Sequence, residues 1–124
     1  MTYTAMINLP DHINRESFRE ALKDTEKRFS DFGGIPIVFG KQPIDMLSVG
    51  QVNILNIIGL CKSIEWDNDN FRVTFELTKG YHSQIIPEMI RKNVPFKLFP
   101  RMIGTKENNN YIINSIICID IKNV

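Results

Sequence analysis

The stretch that decides the fold is residues 52–77, VNILNIIGLCKSIEWDNDNFRVTFEL, in which two apolar runs flank a polar cluster at residues 67–70. Apolar and polar residues alternate from Phe71 to Leu77, the period of two that is typical of a half-buried strand. The run at residues 54–60 is apolar at most positions, which indicates a central strand covered on both faces. The pattern therefore predicts a long β-hairpin.

The segments before this hairpin predict a strand, a helix and a second strand. Residues 2–9 alternate and end at Pro10, and residues 35–39 form a short apolar run in which Pro36 suggests an edge strand or a strand start. Between them, Asn14 is suited to cap a helix that we expect to span residues 14–32 and to end at a pair of glycines. The apolar face of this helix comprises Phe18, Leu22, Thr25, Phe29 and Phe32.

After the hairpin, the pattern predicts a short helix and two more strands. Ser83 is placed to cap a helix over residues 83–92. Residues 96–103 and 111–121 read as strands joined by an exposed polar turn at residues 104–110. We therefore expect an α+β fold in a single domain over residues 1–124: a curved, mostly antiparallel sheet or small barrel with one long and one short helix.

Composition excludes several classes of protein. The 124 residues carry 15 Lys plus Arg against 14 Asp plus Glu, so no strong overall charge attracts nucleic acid or an anionic membrane. No apolar run approaches the ~20 residues of a membrane span, and the N-terminus lacks the features of a signal peptide. Cys61 and Cys118 stand in apolar, strand-like runs, which favours reduced core thiols and a cytoplasmic location.

Groups suited to metal binding or catalysis are few. His12 and His82 are the only histidines, and the two cysteines lack the close spacing of zinc ligands, so we expect no metal and no cofactor, with a mixed Cys and His site as the alternative. Ser83 follows His82, but helix capping explains this serine better than a catalytic pair does. The Asp67 to Asn70 cluster lacks the glycine and distal glutamate of a calcium loop.

A group of basic and aromatic residues near the C-terminus has two interpretations. It is either a weak site for single-stranded nucleic acid or a nucleotide, or a solvated charged face, and we favour the second. The group comprises Tyr81, Arg91, Lys92, Phe96, Lys97, Phe99, Arg101 and Lys106.

The order of these segments resembles the prohead core protease of T4-type tailed phages, which cuts scaffold and capsid proteins during head maturation. INRESFREALKDTEKRF (residues 13–29) is similar to the family's helix before its histidine-proline loop, and residues 52–77 to its long hairpin. SQIIPEMIRKNVPFKLFPRMIG (residues 83–104) resembles its short helix and nucleophile strand, and IICIDI (residues 116–121) its closing strand. The resemblance implies the family's fold and a phage context.

The chain departs from the family's pattern at the catalytic positions. Where the family has histidine before proline, this chain has Gly40-Lys41-Gln42-Pro43. Where the family has its serine before an Arg-x-x-Gly pattern, Phe99-Pro100 precedes Arg101-Met102-Ile103-Gly104. Acyl transfer by that mechanism needs the nucleophile and the base, so the departures argue against proteolysis.

These features lead to three hypotheses of function. The first is a non-enzymatic phage structural protein, a capsid decoration or head-assembly factor, in the virion or the host cytoplasm. Its partner would be a phage capsid protein or another protein, or a second copy of the chain, but not a membrane or nucleic acid. The partner-binding residues that we expect lie in three loops. They are Lys41, Gln42, Asp45, Asp67, Asn68, Asp69, Asn70, Glu107, Asn108, Asn109 and Asn110.

The second hypothesis is a small phage inhibitor or sequestering protein that acts on a host defence enzyme or its nucleotide signal. The residues expected to contact phosphate are Arg91, Lys92, Lys97 and Arg101. The third is a hydrolase that uses His82 and Ser83.

Overall fold

The computed structural model describes residues 2–39, 52, 56–67, 70–79 and 83–123. In chain order, the elements are β1 (Thr2–Asn8), α1 (Arg15–Arg28), β2 (Ile35–Phe39), β3 (Ile57–Asp67), β4 (Asn70–Leu77), α2 (Ile85–Arg91), β5 (Phe96–Glu107) and β6 (Asn110–Asn123).

The strands form one six-stranded sheet in the order β1-β4-β3-β2-β6-β5. Every neighbouring pair is antiparallel except β2 and β6, which run parallel. The sheet curls so strongly that its two edge strands, β1 and β5, approach each other to a Cα separation of 8 Å or less. The predicted α+β fold with a curved, mostly antiparallel sheet is confirmed.

The central hairpin forms as predicted. Phe71, Val73 and Phe75 of β4 are fully buried, while the residues between them face outward or lie half-buried. On β3, Ile58 enters the main core and its neighbour Ile57 joins a second apolar cluster on the opposite face. Burial on both faces identifies β3 as a central strand, which follows from its continuous apolar run.

Helix α1 begins where the sequence predicts and ends earlier. The Oδ1 of Asn14 accepts a hydrogen bond from the backbone N–H of Ser17 at 2.8 Å, which is an N-cap contact. The helix ends at Arg28, so the predicted end at Phe32 is wrong, and the Phe32 side chain is 52% exposed. The chain turns out of the helix because the backbone N–H of Gly34 reaches back to the carbonyl of Phe29, at 3.1 Å.

Helix α2 is shorter than predicted, and Ser83 does not cap it. The N-cap residue is Gln84, whose side chain makes no capping bond. Ser83 is buried instead, with its Oγ 3.0 Å from the Oγ1 of Thr78. The hydroxyl thus ties the segment before α2 to the end of β4, while Ile86 and Met89 hold α2 in the core.

The second hairpin, β5–β6, is longer than its apolar pattern suggests. The predicted turn over residues 104–110 is wrong, because pairing continues through Lys106↔Tyr111 and Glu107↔Asn110. Only residues 108 and 109 turn, and Asn108 adopts a φ of 55°, a left-handed conformation that asparagine tolerates. Strand pairing uses the backbone, so polar side chains did not prevent it.

Pro36 does not mark an edge strand. β2 lies between β3 and β6, so that interpretation is wrong, and the alternative of a strand start is correct. The register with β6 begins at Ile37, one residue after the proline.

The main core lies on the face of the sheet that the helices cover. The ring of Phe18 on α1 packs at a tilt against Phe71, with 4.8 Å between ring centroids, and Ile116, Ile119 and Ile121 of β6 complete the layer. The opposite face holds the second cluster, Val38, Ile57 and Cys118.

Candidate functional site

A buried polar cluster occupies the face of β5 and β6 that points away from the helices. The register pairs Phe99 with Asp120 and Arg101 with Cys118. Arg101 is 7% exposed and Asp120 is 2% exposed. The guanidinium donates two hydrogen bonds to the carboxylate, from Nε to Oδ2 at 2.9 Å and from Nη2 to Oδ1 at 2.6 Å. This bidentate geometry satisfies both buried charges at once.

A β-bulge lies next to this cluster and is held by α1. Arg101 pairs with Cys118 but Met102 pairs with Ile116, which leaves one extra residue in β6. The carbonyl of Ile116 accepts hydrogen bonds from the Arg28 guanidinium at 2.6 Å and from the Thr25 hydroxyl at 3.3 Å. Bulges re-aim side chains and are frequent beside active sites, so this is the place in the fold where functional groups are expected.

The thiol of Cys118 belongs to the same cluster. Its Sγ donates to Oδ1 of Asp120 at 3.8 Å. Burial, reinforced by the negative charge of Asp120, raises the pKa of Cys118 from 9.0 to about 12. The group is therefore a neutral thiol at physiological pH, and a thiol is a poor nucleophile compared with a thiolate.

The hydrogen bond from Arg101 to Asp120 also raises the pKa of Arg101, which remains charged. The cluster thus combines a permanent ion pair with a protonated thiol. Such a group orients two strands and satisfies buried charge. His12 stacks edge-on against Tyr111 at 5.7 Å, at the turn end of the β5–β6 hairpin, and His82 lies outside the described residues.

Two further features bear on function. Within the described ranges, no group of three or more His, Cys, Asp or Glu side chains is arranged to hold a metal ion. No helix of the same residues has the length and hydropathy needed to cross a membrane.

The four basic residues predicted to contact phosphate occupy different environments. Arg91 and Lys92 at the end of α2 both pair with Glu88. Lys97 is exposed on β5, while Arg101 is buried against Asp120. Lys97 is thus the member of the set best placed to meet a ligand from solvent.

The predicted partner-binding residues lie partly within the described structure. All four residues from Glu107 to Asn110 are exposed at the β5–β6 turn. Asp67 ends β3 and Asn70 begins β4, and because β3 and β5 run in the same direction, Asp67 and Asn70 lie at the same end of the sheet as the β5–β6 turn. Lys41, Gln42, Asp45, Asn68 and Asp69 fall outside the described residues.

Sequence reasoning missed Asp120. The signal was present, since Asp120 is the one charged residue in the apolar run IICIDI, and a carboxylate that a strand buries needs a cationic partner. The register of the β5–β6 hairpin supplies that partner as Arg101. Sequence reasoning also missed Arg28, whose contact with β6 depends on where α1 packs.

The curled six-stranded sheet with α1 against β6 has the fold of a phage capsid assembly protease. The structure of the bacteriophage T4 capsid assembly protease matches it with a TM-score of 0.65 at 13% sequence identity, covering 88% of this chain and 69% of that one. No family model matches the sequence. No curated protein matches it either. The likeness establishes the protease-like fold that the sequence resemblance implied.

Proposed function

We propose that this chain is a non-enzymatic phage head protein, a capsid decoration or assembly factor, that binds a capsid protein through surface complementarity. The observation that carries the proposal is the fold: the chain matches the T4 capsid assembly protease over 88% of its own length. The step from this fold to a role in phage heads is an analogy between folds.

The residues at the catalytic positions support the non-enzymatic part. Phe99 and Pro100 on β5 stand where the resemblance places the nucleophilic serine, and neither side chain carries a nucleophile. Cys118 is close by but is held as a neutral thiol. Ser83 is buried beside Thr78. None of these groups is suited to attack a peptide carbonyl.

The exposed turn of the β5–β6 hairpin is the described part of the expected binding surface. Glu107 and three consecutive asparagines offer one charge and several amide groups to a partner. Polar turns held by a rigid sheet are common sites of recognition. No specific contact favours the nucleotide-binding alternative, because Glu88 and Asp120 already engage three of its four basic residues.

A co-sedimentation experiment tests the proposal. Heads assembled in the absence of this gene would be mixed with the purified, fluorescently labelled chain and pelleted. We expect saturable binding that Glu107→Lys weakens. Glu20→Lys, which reverses an exposed carboxylate on α1, serves as the matched control and should bind like the wild type. Absence of saturable binding to heads would contradict the proposal.

A further inference from the structure

A groove separates the two edges of the curled sheet. β1 pairs only with β4 and β5 only with β6 among the described strands, so each has a free edge. The groove between them has a volume of about 460 Å³. Its lining residues are Thr4, Ala5, Met6, Phe96, Lys97, Leu98 and Phe99.

The groove runs along consecutive residues of two strands, residues 4–6 of β1 and 96–99 of β5, and this shape favours an extended ligand. Alternate residues of an edge strand direct their N–H and C=O groups away from the neighbouring strand, where another chain can pair with them. β1 and β5 run in the same direction, as the successive pairings around the sheet require. At their nearest point, Cα atoms of β1 and β5 are 8 Å or less apart. A third strand between them would need about 9.6 Å, twice the spacing of neighbouring strands, so no strand fits there. A bound segment would therefore lie along the mouth of the groove and touch both β1 and β5 through side chains.

Two large apolar side chains lie exposed in this groove. Met6 on β1 is 38% exposed and Phe99 on β5 is 37% exposed. Both side chains line the same groove, and covering them with an apolar group would remove apolar surface from water. The ligand therefore needs at least one apolar side chain here.

The charge of the groove specifies the rest of the ligand. Lys97 and Lys122 are directly opposite each other on β5 and β6, and like charges in that arrangement destabilise a sheet. The Nζ of Lys122 lies 5.1 Å from the centre of the Phe99 ring. Arg72 is the cross-strand neighbour of Met6. The apolar pair is thus bordered by cations on both sides.

Nearby carboxylates do not neutralise these lysines in the described structure. Asp120, which faces Phe99, is bound to Arg101. Glu76, opposite Thr2, lies 3.7 Å from Lys62. Glu65 of β3 pairs across the sheet with Arg72, and Arg72 separates it from β1 and the groove. An acidic side chain of a ligand would relieve the repulsion between the two lysines.

We propose that the groove between β1 and β5 binds an extended segment of a partner protein, which places an acidic side chain against Lys97 and Lys122 and an apolar side chain against Met6 and Phe99. The identity of the partner as a capsid protein rests on the proposed function, whereas the groove and its chemistry do not.

The test uses a synthetic peptide in which glutamate and valine alternate, and a second peptide with lysine in place of glutamate. Fluorescence anisotropy would measure affinity, and amide chemical shifts would locate the site. We expect the glutamate peptide to bind about tenfold more tightly, a difference of about 1.4 kcal/mol. The shifted amides should be those of residues 4–6 and 96–99.

Two pairs of variants sharpen the test. Lys97→Glu should weaken binding of the glutamate peptide about tenfold, while Lys106→Glu, the same change at another exposed site on β5, should not. Phe99→Ala should weaken binding several-fold, and Ile103→Ala should not, although Ile103 is also 37% exposed. Unchanged far-ultraviolet circular dichroism would show that each variant folds.

Three outcomes would overturn this inference: equal affinity for the two peptides, shifts that map outside the groove, or unchanged binding to Lys97→Glu. Self-association of the peptide-free chain through the same amides would also overturn it, because a second copy would then be the occupant. If the chain binds the peptide but not heads, only the proposed function is contradicted. If the Lys97→Glu variant binds heads as well as the wild type does, only the proposed role of the groove is contradicted.

Discussion

Asp120 shows how a single residue connects fold and chemistry. A carboxylate that is 2% exposed is tolerable because Arg101 meets it with two hydrogen bonds. From the sequence, Arg101 was predicted to contact phosphate. Its actual partner, Asp120, lies 19 positions away and can be recognised only when the register of the hairpin is known. In this fold the pair holds β5 and β6 together.

Removing one partner of this pair should be strongly destabilising. We expect Asp120→Asn to lower the free energy of unfolding by about 3–5 kcal/mol, because the Arg101 charge stays buried without its counter-ion. The double variant Arg101→Met with Asp120→Leu should be less destabilised than the single variant, because no buried charge remains. Urea denaturation measures both.

The control for this prediction is Glu88→Gln, which removes an exposed ion pair on α2 and should change stability by less than about 1 kcal/mol. An Asp120→Asn variant as stable as Glu88→Gln would mean that the Arg101–Asp120 pair is open to solvent.

The Cys118 thiol predicts a loss of stability at alkaline pH. Its pKa is raised from 9.0 to about 12 in the folded chain, so the stabilising contribution is complete below about pH 9. Above that pH the unfolded chain loses its proton first, and stability falls until pH reaches about 12, with a limiting slope of about 1.4 kcal/mol per pH unit. Cys61, with its pKa also raised to about 12, adds a similar slope.

Urea midpoints between about pH 8 and pH 11 test this behaviour. The stability of Cys118→Ala should fall less steeply with pH than that of the wild type across this interval. The comparison uses the slope, so a change in stability that the substitution causes at neutral pH does not affect it. Identical slopes in the two proteins would indicate that the Cys118 thiol is not buried in the folded state.

At the scale of elements, strong local signals predicted well and weaker ones did not. Alternation in residues 71–77 and the side chain of Asn14 act within a few residues, so β4 and the start of α1 followed from the sequence. The end of α1 depends on the turn in which Gly34 bonds back to Phe29, and the role of Ser83 depends on its contact with Thr78. Neither contact follows from apolar periodicity. The parallel pairing of β2 with β6 joins parts of the chain about eighty residues apart, which no local pattern encodes.

The turn from α1 into β2 supplies a prediction at this scale. Gly34 has a φ of 137°, and a Cβ added there would lie 2.1 Å from the carbonyl oxygen of Cys61. Gly33 has a φ of 102°, but its nearest neighbour would be the Leu60 side chain at 3.3 Å. Both alanine variants are strained, yet only Gly34→Ala forces backbone apart, so it should lose at least about 2 kcal/mol more stability.

Thermal unfolding of the two variants measures this difference, with Gly33→Ala as the matched control. Equal midpoints would show that the turn can relax away from β3.

At the scale of the whole molecule, the chain has a protease-like fold. The sequence resemblance implied this fold, and the structural likeness to the T4 protease at 13% identity bears it out. The sequence did not predict the binding groove, because the groove forms only when the curled sheet brings β1 and β5 together. Surfaces of this kind depend on tertiary curvature, which no local sequence pattern encodes.

We expect the purified chain to be inert toward a fluorophosphonate probe, because Ser83 is buried and bonded to Thr78 and no serine occupies positions 99–100. In-gel fluorescence should show no labelling of the wild type and the same result for Ser83→Ala. Labelling of the wild type that disappears in Ser83→Ala would instead support a hydrolase.

The most direct measurement is the number of copies of this chain in purified virions of the phage that encodes it, determined by quantitative mass spectrometry against the major capsid protein. We expect a fixed ratio that persists through density-gradient purification and salt washes, as a capsid-bound protein requires. Absence of the chain from intact particles and from assembling heads would contradict its role as a phage head protein.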